Sequence, residues 1–354
     1  MKRHFFSGAL LLAFAGHAFA QANPDLAFTD FPNADVNALT GGQVQQARGG
    51  LIEFQRGLTS QALYVIAAPV ATVQAKLSSW NPASHPELKV WMHQNLPPRP
   101  TLNDLAGLQS LPDNSSVNSL IEATGKFDAA APTFQVSASE AQLIASLRTP
   151  GTDPRAFFAN AWSQVLLGRI DNFLGAKLGA ENDFAPGGTI QPLAEIKSLL
   201  RSDVKIYQRF HPLLVNTPVY AANKIAPVTL YYECFDIEGT AVLGTGAMYE
   251  AHPNGAPAAT APNTGMPPAP TTAGGPILIA DIEYFVNNGI YVSLELHQLS
   301  PVTINGQEET LVWRADLVST VNVAYLHGTE RLASGMIMLQ DVKQAVDAFR
   351  SEFH

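Results

Sequence analysis

From residue 228 onward, apolar and polar side chains alternate with a period of two, the pattern of strands that bury one face. Stretches of this kind run over 228–237, 240–250, 277–286, 289–298, 309–316 and 318–326. The dipeptides Asn288-Gly289 and Asn305-Gly306 accept the positive backbone angles of tight hairpin turns, so this half predicts an antiparallel meander. Near the end, spacings of three and four take over. Leu332, Met336, Leu339, Val342, Val346, Phe349 and Phe353 predict one amphipathic helix of about 36 Å, with Gly335 letting one turn approach a sheet closely.

Ahead of the meander the pattern is mixed. Residues 21–50 are polar and punctuated by glycine, and read as a lead-in segment. Two strands are expected at 51–56 and 61–67, turning around Gly57, and a helix opens after Pro69 with Val70, Val73, Leu77 and Trp80 on one face. A short strand at 88–93 precedes loop-like chain marked by prolines at 97, 98, 100 and 112.

Residues 137–211 read as mostly helical. Ser137 and Glu140 form a capping-box pattern. Asp153 and Pro154 begin a helix carrying Phe158, Trp162, Val165, Phe173 and Leu174, and Pro192 begins another with Leu193, Ile196, Leu200, Val204 and Tyr207 on one side. Residues 253–276 hold seven prolines and almost no large apolar side chain. They read as a long loop between strands, or alternatively as an interdomain linker. The fold class expected is α+β: an antiparallel β-sheet with a long C-terminal helix packed across it, plus a helical insertion, in one domain over 51–354.

The first twenty residues carry Lys2, Arg3 and His4, a short apolar run, and small residues at Ala18 and Ala20. These are the parts of a cleavable signal peptide cut between Ala20 and Gln21. The chain is therefore expected to be periplasmic or secreted, with no transmembrane segment in the mature part. Without the leader, 19 basic residues face 30 acidic ones and the net charge moves from −9 to −11. That balance argues against nucleic acid as a partner. One cysteine, Cys234, excludes an internal disulfide, and its strand-like setting predicts a buried, unreactive thiol.

The sequence lacks a Gly-x-Ser-x-Gly elbow, a His-Glu-x-x-His zinc signature and paired Cys-x-x-Cys ligands, so no cofactor and no metal are expected. Gly244-Thr245-Gly246 lies between strand residues with no following lysine, and reads as a bulge or twist rather than a phosphate loop. Glu295 and His297 share one face of a strand, and Arg314 and Asp316 share one face of another. Lining a cavity, these four would bind a carboxylate or hydroxyl, or do acid–base work. Facing water, they would be an ordinary solvated sheet face. Met336, Met338, Phe349 and Phe353 read as core.

A strand followed by Ala68-Pro69 and the helix over 70–80, then an antiparallel meander and one long carboxy-terminal helix, resembles the START and polyketide-cyclase-like (helix-grip) superfamily. The resemblance spans roughly 51–94 and 226–354. It implies a final helix lying across a curved sheet with an apolar ligand cavity between them, and it carries no catalytic positions. The block at 137–211 and the loop at 253–276 have no counterpart required by it.

Three functions follow as expectations. The first is binding of an apolar or lipid-like ligand between sheet and helix, in a cavity lined by side chains such as Val292, Leu294 and Met336. The second is an enzyme acting on an extracytoplasmic small molecule through Glu295, His297, Arg314 or Asp316. The third is a cell-envelope interaction protein with an exposed apolar patch at Phe158, Trp162 and Val165.

Overall fold

The computed structural model describes residues 25–49, 54–175, 183–185, 188–220, 224–252, 275–287, 289–326 and 328–353. The expected leader, most of the proline-rich loop and Asn288 lie outside them. The strands are β1 (Val44–Arg48), β2 (Gly57–Ile66), β3 (Val90–Leu96), a small hairpin of β4 (Asp183–Ala185) and β5 (Gly188–Ile190), β6 (Thr229–Ile237), β7 (Thr240–Ala251), β8 (Ile277–Phe285), β9 (Ile290–Ile304) and β10 (Gln307–Thr320). Eight of them form one sheet in the order β1-β2-β10-β9-β8-β7-β6-β3, antiparallel throughout. The helices are α1 (Val70–Ser78), α2 (Ser115–Gly125), α3 (Ala138–Ser146), α4 (Pro154–Leu174), α5 (Pro192–Ser202), α6 (Val204–Leu214) and α7 (Gly328–Ser351). The α+β class with a packed carboxy-terminal helix stands.

The two faces of the sheet have different partners. Leu63, Leu243, Ile282, Leu294 and Trp313 point toward the helical block, where Leu120, Phe158, Trp162, Leu199 and Phe210 complete the larger core. Tyr64, Met248, Ile279, Leu299 and Val312 point the other way and meet Val73 and Leu77 of α1 and Val342, Val346 and Phe349 of α7. α7 lies along β1 and β2 and also touches the 3-10 turn Pro86–Leu88 that leads into β3, so one helix reaches both edges of the sheet. Its middle is tied down by Gln46 Nε2 donating to the Leu339 carbonyl at 2.6 Å, and its carboxy-terminal end by Arg350 Nη1 donating to the Gly42 carbonyl at 2.6 Å and by Glu352 paired with Lys76 at 2.6 Å and His85 at 2.9 Å.

Several expectations are corrected by packing. Residues 54–56 turn rather than extend; the first strand is β1, inside the lead-in segment, and Leu26, Phe28, Phe31 and Leu39 of that segment are buried. Phe28 stacks edge-on to Trp313 at 4.8 Å, giving a polar stretch its apolar anchor. β9 and β10 run on to the Asn305-Gly306 turn and to Thr320, and 321–323 is a 3-10 turn, so 318–326 is not a separate strand. Asp203, extended at φ −130°, splits the helix expected from Pro192: its carboxylate accepts from the Lys205 and Ile206 amides and starts α6. α2, seated on Val117, Leu120 and Ile121, occupies chain read as loop. The capping box at Ser137 and Glu140 is present.

In its amino-terminal half α7 turns a face to the sheet that is one residue away from the stripe read in the sequence, while Val342, Val346 and Phe349 keep to it. Arg331 turns inward and donates to the Gln55, Phe54, Gly57 and Val323 carbonyls, and Gly335 accommodates the Arg48 stem, where an added Cβ would lie 2.5 Å from Arg48 Cδ. Leu332 and Met336 therefore share the outer face, 46% and 58% exposed. Phe158, Trp162 and Val165 are buried in the larger core, which removes the exposed patch expected there. Among the described residues no helix is long and apolar enough to cross a membrane.

Candidate functional site

Strand alternation sends a second set of side chains to the face that carries α7, and this set is charged. Ser60, Asp316, Glu295 and Asp281 are successive cross-strand partners on β2, β10, β9 and β8. One step along, Ala62, Arg314, His297 and Ile279 form the next row, and on the other side Ser293, Glu283, Gly246 and Tyr231 form a third. The four residues singled out in the sequence thus come together, mid-sheet, joined by Asp281 and Glu283.

Arg314 is the hub. Its Nε donates to Asp316 Oδ2 at 2.9 Å, and its Nη2 donates to Asp316 Oδ1 at 2.6 Å and to Glu295 Oε2. Its guanidinium thus bridges two carboxylates through Nε and Nη2. The other oxygen of Glu295 meets His297 Nε2 at 2.5 Å. Burial opposes the charge on Glu295, but Arg314 and His297 outweigh it and hold the carboxyl down at about 2. An ionised Glu295 accepts, so Nε2 carries the hydrogen and, in the neutral ring, Nδ1 holds the lone pair. That Nδ1 is buried with no hydrogen-bond partner.

Asp281 and Glu283 have the opposite environment. Burial first, then Glu295, pushes the Asp281 carboxyl well above the carboxylate range; burial, then Glu233 and Asp281, does the same to Glu283. Oδ1 of Asp281 is a second buried polar atom without a partner, and Ser60 Oγ in the same row is a third. Glu283 accepts from the Tyr231 hydroxyl at 2.8 Å and from Ser293 Oγ. Burial, then Asp281 and Glu283, keeps the Tyr231 phenol protonated. Farther out, His93 Nδ1 stands 3.2 Å from Glu233 Oε2 and its ring lies 4.6 Å from that of Tyr231.

The two glycines of β7 make room for this arrangement. A Cβ on Gly246 would fall 2.3 Å from Tyr231 Cζ, and one on Gly244 would fall 2.5 Å from Phe285 Cδ1, so both rings lie across the strand where a side chain would stand. The register of β7 with β6 and β8 runs unbroken through 244–246, so the segment is a regular strand and not a bulge.

Solvent reaches the cluster: the Glu295 side chain is 27% exposed although β9 is central in the sheet. Among the described residues no group of three His, Cys, Asp or Glu side chains is placed to hold a metal ion. Val292 and Leu294 are fully buried in the core on the opposite face, and Met336 is on the outside of α7, so the three do not line one cavity between sheet and helix. Alternation along β9 is the reason: Ser293, Glu295 and His297 take the α7 side and Val292 and Leu294 the other. Cys234 is buried on the block side, its thiol pushed up to about 12 by burial, then Glu233 and Asp236.

Asp281, Glu283, Tyr231 and Ser293 were not singled out in the sequence. For the two carboxyls the signal was present in 277–285, where Asp281 and Glu283 take the same alternate positions that Glu295 and His297 take in the next strand. Comparison with protein-family models, curated proteins and solved structures finds no match to this chain.

Proposed function

We propose that the protein is an enzyme that performs acid–base chemistry on a small polar molecule bound between the sheet and α7. The observation that carries this reading is His297: its Nε2 is spent on Glu295, and its buried Nδ1 has no partner. A carboxylate that fixes the tautomer of an imidazole and leaves the second nitrogen open is the arrangement of a general base. Asp281, diagonal to His297 across the β8–β9 pair and holding its proton, is the matching acid. Glu295, Arg314 and Asp316 are a fixed charge lattice that orients the ring.

The same location is where the helix-grip resemblance expects a ligand, and an α7 packed over an antiparallel sheet supports that part of it. The lining is polar rather than apolar, which favours a polar substrate over a lipid. The leader-like start of the chain supports an extracytoplasmic setting.

The test is to incubate the small-molecule pool of a cell extract with the wild-type protein and with His297→Gln and Asp281→Asn, and to follow every component by mass spectrometry. Depletion of specific compounds by the wild type alone is expected. A pool left unchanged by the wild type, or changed equally by both variants, overturns the reading.

A further inference from the structure

The charge on the α7 face of the sheet is unbalanced. Glu233, Asp281, Glu283, Glu295 and Asp316 all point there, from β6, β8, β9 and β10. Against them, among the described residues of these strands and of β3, stand one guanidinium, Arg314, and the imidazoles of His93 and His297, while Arg350 of α7 lies on the Tyr64 side with its Nη1 on the Gly42 carbonyl. Arg314 makes its ion pairs with Asp316 and Glu295, and acts on Asp281 only through space, too weakly to offset burial. Arg48, in the row beyond Ser60, is exposed at the rim and packs its stem on Gly335. Among the described residues, neither Asp281 nor Glu283 has an ion-pair partner.

Burying ionisable groups without a counter-charge is costly, and the fold meets that cost by keeping protons on these two. Asp281 marks where a partner is missing. It is nine-tenths buried, it projects from β8 into the row with Glu295, and its Oδ1 accepts nothing. Besides Ser60 Oγ, a hydroxyl in the same row, His297 Nδ1 on the neighbouring strand is a buried atom left open beside Asp281. Both are sites for a ligand that donates hydrogen bonds. An anion would meet five carboxyls; a simple alcohol would satisfy hydrogen bonds and leave Asp281 and Glu283 protonated.

We infer that the ligand of this site carries a cationic nitrogen, an ammonium or guanidinium group, which sits against Asp281 and Glu283 and supplies the counter-charge the fold omits. This rests on the proposed ligand site between sheet and α7, and names its substrate class. Binding has a distinctive consequence. A cation beside two protonated carboxyls favours their ionised form, so binding releases protons. An uncharged ligand at the same place releases none.

Three probes of equal size separate the cases: n-butylammonium, n-butanol and n-butyrate, added at fixed ionic strength to the full-length protein. Resonances of Asp281, Glu283 and Glu295 are followed by NMR, and heat is measured in two buffers of different ionisation enthalpy. Butylammonium is expected to shift these resonances with proton release, and to bind at least about tenfold more weakly to the Asp281→Asn/Glu283→Gln variant, a loss of about 1.4 kcal/mol. That variant replaces near-isosteric groups, and its fold is checked by its amide spectrum.

Preference for butanol or butyrate, or butylammonium binding unchanged in the variant, overturns the inference. Its fate is separable from that of the enzyme reading. Turnover of an uncharged or anionic compound would leave the enzyme and remove the cation site. Cation binding with an unchanged metabolite pool would do the reverse.

Discussion

Asp281 and Glu295 are direct cross-strand partners on β8 and β9, and the fold gives their carboxyls opposite protonation: Arg314 and His297 hold Glu295 ionised, whereas burial and the charge of Glu295 keep the proton on Asp281. One row of the sheet therefore contains both an acid and a fixed anion, and the distinction comes from which of them Arg314 reaches.

Asp281 affects stability with a definite sign. Its carboxyl holds a proton in the folded state to higher pH than in the unfolded chain, so the folded state loses stability as pH rises above the ordinary carboxyl range of about 4. Asp281→Asn removes that dependence. Urea midpoints between pH 4 and 8 are expected to show the variant gaining on the wild type as pH rises; a constant difference would contradict the assignment.

The fold was more legible than the site, for a physical reason. Period-two alternation in β6 to β10 and the spacing of Val342, Val346 and Phe349 are local signals, and they place a meander and a terminal helix correctly. Glu295, His297, Arg314 and Asp316 were visible as two like-faced pairs. That they meet, and that Asp281 and Glu283 join them, depends on register across strands separated by turns, which no single stretch of sequence encodes. The rotation of α7 was hidden because Arg331 takes an inward place by hydrogen-bonding carbonyls rather than by being apolar. β1 was hidden because three of its five residues are polar and none is fully buried.

Arg314→Met leaves Glu295 and Asp316 facing each other without their shared cation. Breaking a buried ion pair from one side costs about 3 kcal/mol, which urea unfolding at pH 7 should report. The triple variant Glu295→Gln/Arg314→Met/Asp316→Asn should recover much of that loss, because no charge is then stranded. A triple variant less stable than Arg314→Met would show that the lattice stabilises by more than mutual neutralisation.

Gly246→Ala tests the room made for Tyr231. The new Cβ would lie 2.3 Å from Tyr231 Cζ, so the ring must leave and its hydrogen bond to Glu283 must break. A cost of about 2 kcal/mol is expected from overpacking. Tyr231→Ala in the same chain should relieve most of it, giving a coupling energy in a double-mutant cycle. Additive effects would mean the ring is not what the glycine accommodates.

Arg169 joins the helical block to the sheet. It is 1% exposed, pairs with Glu140 of α3, donates to the Phe285 and Gln135 carbonyls, and stacks 3.8 Å from the Tyr284 ring. Arg169→Met should cost about 3 kcal/mol by removing the cation from Glu140 and a donor from the Gln135 carbonyl. Hydrogen exchange should then quicken in α3 while β9 and β10 keep their protection; equal quickening throughout would make the block and sheet a single unit.

The central claim is that neighbouring carboxyls in one row of the sheet hold their protons differently. Carbon-13 NMR of the side-chain carboxyls, followed from pH 2 to 9, reads this directly. Glu295 should remain ionised until pH falls to about 2, while Asp281 keeps its proton well above the ordinary carboxyl range. Both carbons titrating together near pH 4 would contradict the account.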